Sequence, residues 1–247
     1  MKFFLLILFM MSSSYAGRIN VAVSANLSYV IEALKAEFSK SNPDIRVQIT
    51  LGSSGKLAAQ ISNGAPYGIF MSANMKYPQL LFKDKIAITQ PLVYAQGKLA
   101  LFSVENRDLS QGLALLKDND IRKIAVANAK TAPYGKASLE AMKKIKVYKS
   151  VKSKLVYAES ISQVVFYTLK AADIGIIAKS SLFGRTMSGY KENVHWVDID
   201  TRLYAPIKQG FVLLKYAQRN NEYKMFYDFV LSKKGQNIFK RYGYSNE

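Results

Sequence analysis

The chain contains no cysteine and a single histidine, His195, in 247 residues. Without a thiol there is no disulfide framework, no thiolate nucleophile, no Cys-ligated zinc and no iron–sulfur cluster. One imidazole leaves a multi-histidine metal centre or a Ser–His triad resting on that ring alone. Acidic residues are scarce as well, 17 against 35 Lys and Arg, for a formal charge of +18. That balance fits nucleic acid, an anionic membrane surface or an anionic solute. Arg-rich groups and regularly spaced aromatic platforms are missing, and the 16 Tyr and 13 Phe are scattered, so nucleic acid is not an expected partner. Beyond residue 16 no apolar run is long enough to span a bilayer.

What is present begins with a leader. Lys2 supplies a positive start, Phe3–Met11 is continuously apolar, and Ser14 and Ala16 are small residues placed for cleavage before Gly17. This pattern predicts a secretory signal peptide over residues 1–16, cut after Ala16. The cleavage site carries no Cys to lipidate, so a freely soluble exported protein is expected, with the periplasm as its compartment.

The mature chain alternates short apolar runs with helical patterns. Ile19-Val21-Val23 and Ile45-Val47-Ile49-Leu51 alternate with period two, while Leu27, Val30, Ile31, Leu34 and Phe38 recur at helical spacing. Further strands are predicted at Ile69–Met71, Leu99–Val104, Ile124–Ala127, Leu155–Tyr157, Ile174–Ile177 and Gly210–Leu214. Helices are predicted through Leu57 and Ile61, at Lys136–Ile145, Ser162–Ala171, Glu222–Leu231 and Gly235–Tyr242. Such alternation predicts α/β architecture, each sheet mixed, mostly parallel and flanked by helices. Two lobes account for the length: residues 17–96 plus 207–247 form the first and 97–206 the second.

In such sheets ligands sit beyond the carboxyl ends of strands, where the next helix begins. The junctions read Ser24-Ala25-Asn26, Gly52-Ser53-Ser54-Gly55-Lys56, Thr131-Ala132-Pro133-Tyr134-Gly135 and Glu159-Ser160-Ile161-Ser162. Each is an ordinary cap or turn on its own. Brought together, they would aim free backbone N–H groups at one anion. Two adjacent hydroxyls between glycines exceed what one cap requires.

Ser53-Ser54-Gly55-Lys56 also contains S-x-x-K, the nucleophile–lysine spacing of penicillin-recognising hydrolases. Its companion motifs are absent or out of order. An exported serine–lysine hydrolase using Ser53 and Lys56 is therefore the alternative from another class; the chain is otherwise expected not to be an enzyme. The lysines at 143, 144, 146, 149, 152 and 154 read as a solvated helix end and loop. His195 has a packing role as its default.

In this order the motifs resemble the periplasmic molybdate-binding proteins of ATP-driven uptake systems, over nearly the whole mature chain. The matching stretches are Ser24-Ala25-Asn26 with Asn at its third position, Leu51–Ile61, Asn63–Ser72, Ala132–Gly135, Glu159–Ile161, Gly175–Ala178 and Phe239–Tyr244. The resemblance implies a two-lobe periplasmic-binding-protein fold of type II, with the ligand in the cleft. It implies an extracytoplasmic receptor for molybdate and tungstate that delivers to a membrane permease with a cytoplasmic ATPase. No cofactor is implied, and the protein is expected to be a monomer. Asn26 and the backbone at Ala25 would contact the oxyanion, as would the Ser54 hydroxyl and N–H and the N–H groups of Tyr134 and Ile161. The metal would be held only through its own oxygens. Some relatives place a Tyr hydroxyl on the anion where this chain has Ala178. A receptor for another tetrahedral oxyanion, such as sulfate, is the alternative within the class. On this reading Glu159 faces away or caps a helix, and Ser54→Ala weakens binding without destabilising the empty protein.

Overall fold

The computed structural model describes residues 17–245; the leader read at residues 1–16 lies outside them. The chain begins with β1 (Gly17–Ser24), α1 (Ile31–Ser41), β2 (Ile45–Gly52), α2 (Ser54–Ser62), β3 (Ile69–Met71), α3 (Lys76–Lys83) and β4 (Leu92–Gly97). It continues through β5 (Leu99–Phe102), β6 (Ile124–Ala127), α4 (Pro133–Lys144), α5 (Tyr148–Val151), β7 (Leu155–Ala158), α6 (Ile161–Lys170), β8 (Ile174–Ala178) and β9 (Trp196–Asp198). It ends with β10 (Ile207–Leu213), α7 (Asn221–Leu231) and α8 (Lys233–Arg241). The strands form two five-stranded sheets, β2-β1-β3-β10-β4 and β7-β6-β8-β5-β9.

Within each sheet three strands run parallel, because a helical segment joins each of them to the next and returns the chain across a face. The remaining contacts are antiparallel: β10 to β3 and β4 in the first sheet, β5 to β8 and β9 in the second. The chain crosses between sheets twice, directly from β4 to β5 and back from β9 to β10. In the first sheet β4 and β10 are neighbours, and in the second β5 and β9 are, so the two connections run side by side.

The apolar alternation seen in the sequence covers both faces of β1. Ile19, Val21 and Val23 pack with Leu34 and Phe38 of α1, Phe226 of α7 and Phe239 of α8. Ala22 faces the opposite way, against Leu57 and Ile61 of α2 and Leu81 of α3. Phe38 meets Phe226 edge to face with ring centroids 5.1 Å apart. The core of the second sheet joins Leu101, Val126, Ile176, Val164 and Met142.

Most predicted elements form within a few residues of their expected bounds. The α/β architecture with mixed, mostly parallel sheets is what the structure shows. Two short edge strands, β4 and β9, and helix α3 go beyond the sequence reading. The helix expected from Leu27 starts only at Ile31, since Ala25–Leu27 form a separate 3-10 turn. That turn carries Asn26 into the interior, 1% exposed.

Candidate functional site

Beyond the carboxyl ends of β1, β2, β6 and β7, the chain converges on a cavity of about 10 Å³. It is lined from one side by Ser24, Asn26, Ser53 and Ser54, and from the other by Pro133, Tyr134 and Ile161. A space of this size admits little more than one water-sized sphere. All the residues predicted to bind ligand, Ala25, Asn26, Ser54, Tyr134 and Ile161, line it. No acidic or basic side chain is among the lining residues.

Three helices start here, and none has a side-chain cap. Ser53 precedes α2, Ala132 precedes α4 and Ser160 precedes α6, yet no cap hydrogen bond forms at any of the three. None of the three carries an acid in its first turn. By contrast α7 and α8 are capped, with Asn220 accepting from the Glu222 N–H and Ser232 from the Gly235 N–H. The ordinary cap reading of these serines therefore fails at the cavity. First-turn N–H groups of Ser54, Tyr134 and Ile161 have no intrahelical acceptor. Each helix end also carries about half a positive charge from its peptide dipoles. Pro133 starts α4 without an N–H of its own, so Tyr134 supplies the first donor after it.

Proton counting separates the two adjacent serines. Ser24 Oγ donates to the Met71 carbonyl at 2.8 Å, which uses its one proton. The Ser24–Ser54 contact, also 2.8 Å, therefore takes its proton from Ser54. Ser54 Oγ in turn accepts the Ala73 N–H at 2.9 Å. The Ser54 hydroxyl is thus spent on Ser24 and on the Ala73 backbone, and its N–H is what remains for a ligand. Ser53 Oγ is buried without any partner and is the unspent hydroxyl. The sequence places Ser53 in a loop with one hydroxyl more than a cap needs, and names it individually only as a nucleophile; which of the two hydroxyls is free depends on partners that the fold brings.

Asn26 is tied down from behind. Its Nδ2 donates to Gln209 Oε1 at 2.8 Å and to Tyr244 Oη at 2.9 Å, while its Oδ1 has no partner. Gln209 also accepts from Tyr94 Oη at 2.9 Å and donates through Nε2 to Tyr134 Oη at 3.0 Å. A β-bulge between Gln209 and Gly210 turns this fully buried amide beneath the site. Gly97 leaves the space that the Tyr134 hydroxyl fills: a Cβ there would lie 1.9 Å from that oxygen. Burial pushes the Tyr94 and Tyr134 phenols well above their usual range, and Tyr244 up to about 12. All three stay protonated and able to donate at neutral pH. These supporting residues were not read from the sequence, except that Tyr244 closes the terminal motif.

Ala178 ends β8 and is buried. Two residues on, Ser180 Oγ donates to the Asn26 carbonyl at 3.1 Å, so this segment supports Asn26 from the second sheet.

Across the mouth, Lys56 of α2 pairs with Glu159, both about half exposed. Glu159 neither faces away nor caps α6, as the sequence reading had it; it ties the two sides together. The same pair removes Lys56 as a base for Ser53, and no other base is bonded to that hydroxyl. A second tie runs from the Gly55 N–H to the Thr131 carbonyl at 2.9 Å. Beside the site lies a larger cleft of about 230 Å³ bordered by Lys76, Lys130 and Lys136. His195 packs on Tyr190 and accepts the Lys191 N–H through Nδ1, a structural role.

Comparison with known proteins gives concordant matches. The sequence profile of the bacterial extracellular solute-binding proteins matches residues 19–245. A molybdate-binding protein of Rhodobacter capsulatus is 33% identical over 94% of this chain and 90% of its own length. One from Azotobacter vinelandii is 31% identical over 94% and 91%. The solved periplasmic molybdate-binding protein of Azotobacter vinelandii superimposes with a TM-score of 0.85 at 30% identity, over 93% of this chain and 99% of that one.

Proposed function

The chain belongs to the bacterial extracellular solute-binding proteins, and from that premise we propose that it captures molybdate, and tungstate with it, for an ATP-driven permease. It is a binding protein and not an enzyme, as its relatives are. The first lobe is residues 17–96 with 207–247, and the second is residues 97–206. The oxyanion lies between them against Asn26 with Ala25, the Ser54 N–H, the Tyr134 and Ile161 N–H groups, and the Ser53 hydroxyl. The protein works as a monomer in the periplasm after cleavage at Ala16. It hands its ligand to a permease with a cytoplasmic ATPase.

One observation carries this reading: uncapped helix N-termini from both sheets meet at a cavity lined without a carboxylate. Molybdate and tungstate are fully deprotonated dianions at neutral pH and accept hydrogen bonds only. A site of unspent N–H and O–H donors suits them, with each charge-assisted bond worth roughly 1.5–3 kcal/mol. Closing the lobes on the ion would make one composite surface for the permease to recognise.

The test is titration calorimetry of the purified protein with molybdate, tungstate, sulfate and phosphate. Tight binding of the two metal oxyanions, with sulfate and phosphate much weaker, is expected. Sulfate bound as tightly as molybdate, or no binding of either metal oxyanion, overturns the assignment.

A further inference from the structure

Asn26 lines the cavity, yet the donor end of its amide is spent on other side chains. Nδ2 is spent on Gln209 and Tyr244, and the acceptor Oδ1 stands buried and unpartnered. An acceptor is the wrong end to offer an anion that carries no proton. The two ends of a carboxamide have nearly the same shape, so hydrogen bonding alone decides which faces where.

The surrounding network permits either orientation, provided that Asn26 and Gln209 turn together. After such a turn Gln209 Nε2 would donate to Asn26 Oδ1 and to Tyr94 Oη, across the contacts now 2.8 and 2.9 Å long. Tyr94 would keep the Ser72 carbonyl as acceptor at 3.4 Å. Tyr134 Oη, which now accepts from Gln209 at 3.0 Å, would donate to it. Tyr244 Oη, whose one proton now goes to the Asn26 carbonyl at 2.9 Å or to Ser180 Oγ at 3.0 Å, would give it to Asn26 Oδ1 across the present 2.9 Å contact instead, and Ser180 would hold the Asn26 carbonyl. Every buried donor keeps an acceptor, and the unpartnered Oδ1 is replaced by an N–H donor. Neither amide can turn alone, because two oxygens or two NH₂ groups would then face each other at 2.8 Å.

We infer that Gln209 is a positioning residue for anion selectivity: it turns in concert with Asn26, so that a fully deprotonated oxyanion meets Asn26 Nδ2 whereas an oxyanion bearing a proton would meet Oδ1. The inference rests on the molybdate reading of the cavity. Tyr134 lies on α4, which follows β6 of the second sheet, and Gln209 lies on β10 of the first, so the turn also reverses the direction of a hydrogen bond between the two halves. Ligand identity and the contact between the lobes are thereby linked through one side chain.

Two measurements test this. First, calorimetry in mildly alkaline buffer compares molybdate with monohydrogen arsenate, both dianions, in wild type, Gln209→Glu and Gln209→Met. The carboxylate of Gln209→Glu only accepts, so it holds Asn26 Nδ2 turned away. Its added charge repels both dianions alike. The arsenate-to-molybdate affinity ratio should rise at least tenfold in Gln209→Glu and stay near the wild-type value in Gln209→Met. A ratio unchanged in Gln209→Glu, with molybdate still binding to wild type, overturns the inference. Second, should Gln209→Glu fail to fold, amide NMR of the wild type decides. Saturation with molybdate should shift the side-chain NH₂ signals of Asn26 and Gln209 together, and a shift of one alone, or of neither, overturns it. Failure of the wild type to bind molybdate instead strikes at the function itself.

Discussion

The adjacent serines at the start of α2 should respond oppositely to removal of their hydroxyls. Ser54 Oγ is bonded to Ser24 and to the Ala73 N–H, whereas Ser53 Oγ is buried with no partner. Ser54→Ala leaves the Ala73 N–H unpaired in the interior, at a cost of about 1–3 kcal/mol. For a chain of this size that lowers the melting temperature of the empty protein by about 2–12 °C. The expectation from sequence, unchanged stability, is thereby reversed. Ser53→Ala removes a hydroxyl that satisfies nothing in the empty protein, so melting stays the same or rises slightly. What it removes is one charge-assisted bond to the oxyanion, roughly 1.5–3 kcal/mol, or about 10- to 150-fold in molybdate affinity. Differential scanning calorimetry without ligand and titration calorimetry with molybdate read the two effects separately. The reasoning fails if Ser53→Ala binds molybdate like wild type, or if it melts several degrees lower without ligand.

Three further outcomes follow from the geometry. Glu159→Gln breaks the half-exposed pair with Lys56, so molybdate affinity should fall less than about fivefold and the loss should vanish in high salt; a hundredfold loss would mean that this pair is part of the site. Gly97→Ala forces its Cβ against the Tyr134 hydroxyl, and should destabilise the protein by about 2–3 kcal/mol, while Gly64→Ala, whose Cβ meets nothing but which stands at φ +87°, costs about 1 kcal/mol through backbone strain; denaturant titration showing both equal would refute the close packing of Tyr134. Tyr244 holds its proton up to about 12 in the fold, so the unfolded chain loses that proton first; stability should be flat below about pH 10 and fall by up to about 3 kcal/mol between 10 and 12 through this group. Chemical denaturation across that range in wild type and Tyr244→Phe measures it, and equal slopes in the two would remove Tyr244 from the account.

Much of this protein is legible in its sequence because the signals are local. Period-two runs such as Ile19-Val21-Val23 need a sheet that buries them, and helical runs between them require crossovers, which yields parallel strands. The loops that line the cavity are legible for a related reason: junctions after parallel strands are where a cleft opens, and Gly-Ser-Ser-Gly is richer in donors than one turn needs. Elements with weak local patterns escaped. Strand β4 begins with Leu92 and Val93 exposed at a sheet edge, and β9 has only three residues. Helix α3 carries Pro78 close to its start, which reads as a break.

The sequence by itself determined the α/β alternation, the lack of thiol and imidazole chemistry, and the loops that bear Asn26, Ser54, Tyr134 and Ile161. Those follow from composition and short-range periodicity, which the chain carries in any conformation. Only the tertiary structure decided which hydrogen-bonding groups are already spent. Ser24 and Ala73 occupy the Ser54 hydroxyl, nothing occupies that of Ser53, and Gln209 comes to Asn26 from 183 positions along the chain. A hydroxyl has one proton and an amide has two distinct ends, so their roles depend on partners that only folding brings within reach.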